Sequence, residues 1–212
     1  MWVDVPKPAT RQPRKDALRN RERVLDAATE LVRRDGESVP MRMIAEHAGV
    51  GVGTVYRHFS TREELLGELV YRSFGLAVTN ARAAAENSGS ALDGIKQFFL
   101  ATLRDRDRFV LPLHGGPPVF TPATRERQAD VRTILRGLIE RGQAAGELRA
   151  DLTPEDLILA TSLLSRPLPG LVPSRVSRRR SAGDWDRLAR RQIDLMVHGL
   201  GTGISRADEP ST

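Results

Sequence analysis

The residues of this chain with a chemical vocabulary of their own form one continuous run: Met41-Arg42-Met43-Ile44-Ala45-Glu46-His47-Ala48-Gly49-Val50-Gly51-Val52-Gly53-Thr54-Val55-Tyr56-Arg57-His58-Phe59. Its apolar positions fall into two short helical stretches, and Gly49 between them is the residue type that accepts a sharp backbone reversal. Ile44, Ala45, Val50, Val55 and Phe59 are spaced to bury against a preceding helix, and the small Ala45 lets two helices approach closely. Two short helices braced in this way form a helix-turn-helix, whose second member enters the major groove of a duplex. The chemistry on offer is therefore recognition. Arg42 and Arg57 have the reach to grip a guanine or the backbone, and Val52, being apolar, can reward only a thymine methyl.

Bond-making constellations are missing. His47, His58, His114 and His198 are scattered, none at ligand spacing from another, and with no cysteine in the chain thiolate metal sites, disulfides and thiol nucleophiles are excluded. There is no Gly-x-Ser-x-Gly elbow and no phosphate-binding loop. The paired acids Glu63-Glu64 stand at a helix start, where the dipole accounts for them. No catalytic residue, no metal and no cofactor is expected, and the chain does not read as an enzyme.

The elements that must position these residues are all helical, since no two-residue alternation occurs anywhere. An all-α fold of about nine helices is expected. The first runs from Asp16 to Arg34, with Leu18, Val24, Leu25, Ala28, Leu31 and Val32 on one face, and ends at Asp35-Gly36. Short helices at Met41 to His47 and Gly51 to His58 follow. Ser60-Thr61-Arg62-Glu63 reads as a capping box, the Ser60 hydroxyl accepting from the Glu63 amide, so a long helix starts at Thr61 and persists to about Glu86. Further helices are expected at Ala91 to Arg106, Arg108 to Leu113, Thr121 to Ala145, Pro154 to Ser165 and Asp184 to Leu200. Thr121-Pro122 and Thr153-Pro154 each set a capping hydroxyl before a proline at the first helical position. The organisation follows: a basic arm over 1–15, a helix-turn-helix DNA-binding domain over 16–60, a larger helical domain over 61–202, to which the family resemblance given below assigns ligand binding and dimerisation, and a polar tail over 203–212.

The chain of 212 residues carries a formal charge of +6, a balance that favours a polyanionic partner and is also common in arginine-rich genomes. Lys7, Arg11, Arg14 and Lys15 crowd the arm, and a second basic run at Arg175, Arg178, Arg179 and Arg180 reads as a solvated loop. No stretch approaches the roughly 20 apolar residues that span a bilayer, and Met1 to Lys7 lacks the pattern of a signal peptide. A cytoplasmic location with no membrane partner is expected.

The run Ala48-Gly49-Val50-Gly51-Val52-Gly53-Thr54-Val55-Tyr56-Arg57-His58-Phe59 resembles the TetR family of transcription regulators, and Ile44-Ala45 before it and Arg62-Glu63-Glu64-Leu65-Leu66 after it fit the same pattern. The resemblance covers about Asp16 to Val70. Gly146 to Leu157 looks like the C-terminal domain of many actinobacterial members. The chain departs from the pattern at Gly51, where serine is usual, so that the recognition helix loses its hydroxyl cap at a cost of about a few tenths of a kcal/mol, and at Pro40, where threonine or serine is usual.

The resemblance implies operator DNA as partner, repression as the habit, and release by a small-molecule effector. Thr54, Tyr56, His58 and Arg62 are similar to the family's phosphate-contacting positions, while Gly53 lets the backbone approach the duplex. One short recognition helix carries little specificity alone, so a homodimer reading two half-sites is implied. The last two helices would build it through Leu157, Leu164, Trp185, Leu188, Ile193, Met196 and Val197. An apolar effector pocket is expected among Phe98, Phe99, Leu103, Phe109, His114, Phe120 and Leu135. The rival readings are a DNA-binding adaptor answering to a protein partner and a helical enzyme.

Overall fold

The computed structural model describes residues 12–86, 89–111, 118, 121–165 and 182–201. The expected arm up to residue 11, the tail from 202, the basic run at Arg175 to Arg180, and the side chains of His114 and Phe120 lie outside the described residues. Two compact units divide the chain, residues 1–69 and 70–212.

Eight α-helices occur among the described residues: α1 (Gln12–Asp35), α2 (Met41–Ala48), α3 (Val52–His58), α4 (Arg62–Glu86), α5 (Ala91–Arg104), α6 (Pro122–Ala144), α7 (Pro154–Ser165) and α8 (Ala182–Leu200). No strand is present among these residues, only an isolated antiparallel bridge between Leu148 and Gly201. The all-α expectation stands.

α1 begins at Gln12, four residues ahead of the expected Asp16, because Pro13 falls in the first turn where a missing N–H costs nothing. Val24, Leu25, Ala28, Leu31 and Val32 are buried as expected. Leu18 is not: it shares their face by spacing yet stays exposed. Gly36, with φ of +87°, ends the helix and returns its N–H to the Val32 carbonyl at 2.9 Å.

The capping box at the head of α4 is displaced by one residue from the expected pair. Thr61 Oγ1 accepts from the Glu64 amide at 3.1 Å, and the Glu64 carboxylate accepts from the Ser60 hydroxyl at 2.8 Å and the Ser60 amide at 2.7 Å. These bonds, the Ser60 hydroxyl first among them, hold the Glu64 carboxyl below the usual range. Chemically equivalent neighbours, Ser60 and Thr61 before Glu63 and Glu64, leave the register open until the backbone chooses it.

In the second unit, a single 3-10 turn, Arg106–Arg108, is followed by extended backbone at Phe109, and residues 109–111 of the helix expected at Arg108 to Leu113 are not helical, its last two residues lying outside the described ones. The Val110 amide donates to the buried Ser73 hydroxyl at 2.9 Å, a tertiary bond in place of a helical one, and Phe109, Val110 and Leu111 are all buried. Thr121 and Thr153 cap α6 and α7 as expected, the latter with Asp156 accepting from both the Thr153 amide and hydroxyl. Ser90 caps α5 by accepting from the Asp93 amide.

The core of this unit packs Ala81, Ala84, Ile95, Phe98, Phe99, Leu103, Leu135, Leu138, Leu157 and Ile193 into one cluster. One carboxylate lies inside it. Burial alone would raise the Asp105 carboxyl, but hydrogen bonds from Arg104 at 2.9 Å and Asn80 at 3.2 Å outweigh that and hold it below its ordinary value. After α6, Gln143 donates from Nε2 toward the carbonyls of Arg149, Ala150 and Leu152, while Glu147 accepts from the Ala91 amide at 2.7 Å, so residues 145–153 form a pinned connection.

Gly142 marks where α6 and the start of α5 approach most closely. A Cβ there would lie 2.4 Å from that of Ala91 and 2.5 Å from Leu148 Cδ1. Gly142→Ala is expected to destabilise the second unit by about 1–3 kcal/mol through overpacking, whereas the same change at Gly137, where a Cβ meets nothing, raises helix propensity. Urea denaturation followed by circular dichroism separates the two.

Candidate nucleic-acid interface

The site grows from a reversal of the chain at Gly49, whose φ of +63° and ψ of +39° close α2 in the left-handed region. Its amide returns to the Glu46 carbonyl at 3.1 Å and the Val50 amide to the Ala45 carbonyl at 3.0 Å, so the orphan carbonyls of α2 are used as the chain turns. Pro40 and Gly51 head α2 and α3 with extended backbone and no side-chain cap, as their side chains dictate. Ile44, Ala45, Val55 and Phe59 are buried, and Val50 is half-buried.

Four polar side chains brace this unit. Arg23 Nη2 donates to the Gly49 carbonyl at 3.1 Å, tying α1 to the turn. Arg62 Nη1 donates to the Glu37 carbonyl at 2.7 Å. Arg21 pairs with Glu68 at 3.1 Å while its guanidinium lies 5.1 Å from the Phe59 ring centroid. His47 Nε2 lies 2.9 Å from Glu30 Oε2. Sequence reasoning singled out none of Arg21, Arg23 or Glu30 for this task, and a partner that is a backbone carbonyl leaves no mark in the sequence.

What faces solvent is a consequence of helical period. With Val55 and Phe59 turned inward, α3 turns Val52, Gly53, Tyr56 and Arg57 outward. Tyr56 is 50% exposed and Val52 37% exposed, so neither is spent on packing between helices. Thr54 and His58 are half-buried on the flanks. On α2, Arg42 and Met43 are exposed, and Arg42 pairs with Glu46 one turn along. Arg62 is half-buried, and only the N–H groups left over from Glu37 are free to meet an anion.

The remaining expected sites are redistributed. Phe98, Phe99, Leu103 and Leu135 belong to the main core of the second unit, and Phe109 packs with Val70, Phe74 and Leu111 in a smaller one. All five are buried in these clusters. A cleft does occur between α5 and α8, lined by Leu92, Asp93, Lys96, Asp194, Val197, His198 and Gly201 and bridged by Lys96 and Asp194 at 2.8 Å. Asp194 raises the Lys96 ammonium above its usual value, first through their hydrogen bond.

The residues expected at a dimer interface differ in how far their own chain buries them. Leu157 and Ile193 are 1% and 0% exposed inside their own chain, and Leu164, Met196 and Val197 pack against the same core. Trp185 and Leu188 are half-buried. The apolar side chains that these helices leave outside are Leu159 and Leu163 on α7, 53% and 54% exposed, and Leu195 on α8. Among the described residues no helix is long and apolar enough to cross a membrane.

Residues 24–69 match the family described as bacterial regulatory proteins, tetR family. An HTH-type transcriptional regulator of Staphylococcus aureus (strain bovine RF122 / ET3-1) is 32% identical over 84 residues, which cover 39% of this chain and 45% of that protein. Another, from strain USA300, is 32% identical over 93 residues, covering 40% and 50%. The chain therefore spans about half the length of the curated relatives it matches. Among solved structures, the TetR transcription regulatory protein from Mycobacterium vanbaalenii is 26% identical with a TM-score of 0.58, covering 89% of this chain and 99% of that one. The ketosteroid transcriptional regulator KstR2 of Mycobacterium tuberculosis, 18% identical with a TM-score of 0.63 over 86% of this chain and 95% of that one, shares the fold.

Two glycines of the site should respond oppositely to alanine. Gly49→Ala forces a side chain into the left-handed region and sets its Cβ 2.6 Å from Arg23 Nη2, with an expected loss of about 1–2 kcal/mol. Gly53→Ala adds a Cβ that meets nothing within 4 Å inside a helix, with an expected gain of about 0.5–1 kcal/mol. Thermal melts of the two variants read both signs.

Proposed function

We propose that this chain, whose residues 24–69 match the TetR family, is a transcription regulator whose homodimer binds operator DNA through α2 and α3, represses the adjoining gene, and is released by a small hydrophobic effector. The observation that carries the reading is the outward face of α3: an exposed tyrosine, valine and arginine on a helix that buries Val55, in a unit that four polar struts brace around it. An exposed valine and half-exposed tyrosine cost apolar hydration on an isolated domain. They fit a groove floor and its phosphate walls, where Val52 meets a thymine methyl and Tyr56 a backbone oxygen.

The surrounding groups suit a polyanion. His58 flanks α3, the spare N–H groups of Arg62 lie at the head of α4, and the whole chain carries a formal charge of +6. Gly53 leaves the backbone of α3 bare where the duplex would come closest. A second copy is proposed to cover Leu159 and Leu163, since two leucines about half exposed one turn apart on α7 form an apolar strip that a single chain leaves wet. An effector that prefers a form with its two recognition helices wrongly spaced lowers operator affinity by that preference.

Binding to duplex DNA in low-salt buffer is expected, with log K falling linearly against log salt at about −0.9 per phosphate neutralised. Fluorescence anisotropy measures it, and failure to bind duplexes of any sequence overturns the reading. The double variant Leu159→Glu, Leu163→Glu is expected to sediment as a monomer with helical content intact. A wild-type chain that already sediments as a monomer at micromolar concentration removes the dimer.

A further inference from the structure

Arg42 and Arg57 both stand on the outward side of the interface, but they are held in different ways. Arg42 Nε donates to Glu46 Oε1 at 3.0 Å, between side chains 79% and 62% exposed, a pair that water screens and that releases easily. Arg57 is tied to acceptors fixed in its own helix: Nε donates to the Gly53 carbonyl oxygen and Nη2 to the Thr54 hydroxyl, both at 3.1 Å. Among the described residues no carboxylate pairs with it. The guanidinium therefore lies back along α3 with its Nε–Nη2 edge against the helix, and its other edge, Nη1 with the second N–H of Nη2, is left over.

Two parallel donors on a rigid plane match the O6 and N7 acceptors of guanine in the major groove. Side-chain torsions that are fixed before contact do not have to be ordered on contact, which favours discrimination over mere attraction. We propose that Arg57 reads one guanine in each operator half-site, and that Thr54 is the positioning residue that presents it. The proposal rests on the operator-binding reading above and refines it. It also reassigns Thr54, which the family resemblance places against phosphate: its oxygen accepts from Arg57.

The test is selection of duplexes from a random pool by the full-length wild type and by Arg57→Ala, Thr54→Val and Thr54→Ser, followed by titration of the selected duplex and its single-base variants. The wild type is expected to enrich a half-site containing a G·C pair whose substitution weakens binding roughly 5- to 150-fold. Arg57→Ala is expected to erase the preference at that pair alone. Thr54→Val is expected to reduce it at the same pair while leaving affinity for an unrelated duplex and its salt slope unchanged, and Thr54→Ser, which keeps the hydroxyl, restores it. An unchanged motif with Arg57→Ala overturns the proposal and leaves DNA binding standing. A Thr54→Val variant that weakens all duplexes alike with a shallower salt slope is a phosphate ligand, and also overturns it. If the wild type enriches nothing, the operator-binding reading itself falls.

Discussion

The recognition surface depends on a single backbone constraint, the left-handed turn at Gly49. A residue with a Cβ is strained there, and the Cβ would also meet the Arg23 guanidinium that donates to the Gly49 carbonyl. Because the turn is tight and its amides are returned to α2, the direction of α3 follows from that of α2, and α2 is set by burying Met41, Ile44, Ala45 and Ala48. The outward display of Val52, Tyr56 and Arg57 is thus the far end of a chain of steric consequences. No strong local propensity supports α3 itself, a helix of seven residues with glycine at its cap and again within it. It is held by Val55 and Phe59 inside, and by the Arg57 side chain folded along its own turn.

Polar bonding in both units goes largely to backbone groups at element ends. Arg23, Arg62, Gln143 and Glu147 each satisfy a carbonyl or amide that a turn would otherwise leave bare, and Ser73 takes the Val110 amide in the interior. Such bonds add modestly to stability one by one, but a buried amide without a partner costs more than the bond supplies, so they decide where the chain can turn. Among the described residues the one buried carboxylate, Asp105, follows the same rule, accepting from the Arg104 guanidinium and the neutral Asn80 amide.

Apolar stripes were readable throughout, and their limits are instructive. The stripe on α8 was expected to face a second chain, yet Ala189 and Ile193 are buried in their own core and Met196, Val197 and Leu200 lean on it. Periodicity reports that a face is buried and is silent about what buries it. The same silence applies to Phe98, Phe99 and Leu103, which are buried in the main cluster of the second unit. The all-round apolarity of α7 was more informative, since one side satisfies the core through Leu157 and the opposite side leaves Leu159 and Leu163 to something else.

From residue types and spacing alone came the all-α class, helix boundaries close to those observed, the glycine ends of α1 and α2, the threonine caps of α6 and α7, and the inward and outward sides of α3. All of these follow from interactions between residues a few positions apart, for which sequence distance and spatial distance are the same thing. Only the tertiary structure decided which of two neighbouring capping pairs heads α4, that the Val110 amide donates to Ser73, and that Leu18 stays wet. It also decided that Phe98, Phe99, Leu103, Phe109 and Leu135 join the core clusters, that Leu157 and Ile193 are buried within their own chain, and that Arg57 is tethered to its own helix where Arg42 pairs with Glu46. Each of these turns on a partner many residues away, or on a choice between chemically equal neighbours that packing alone breaks.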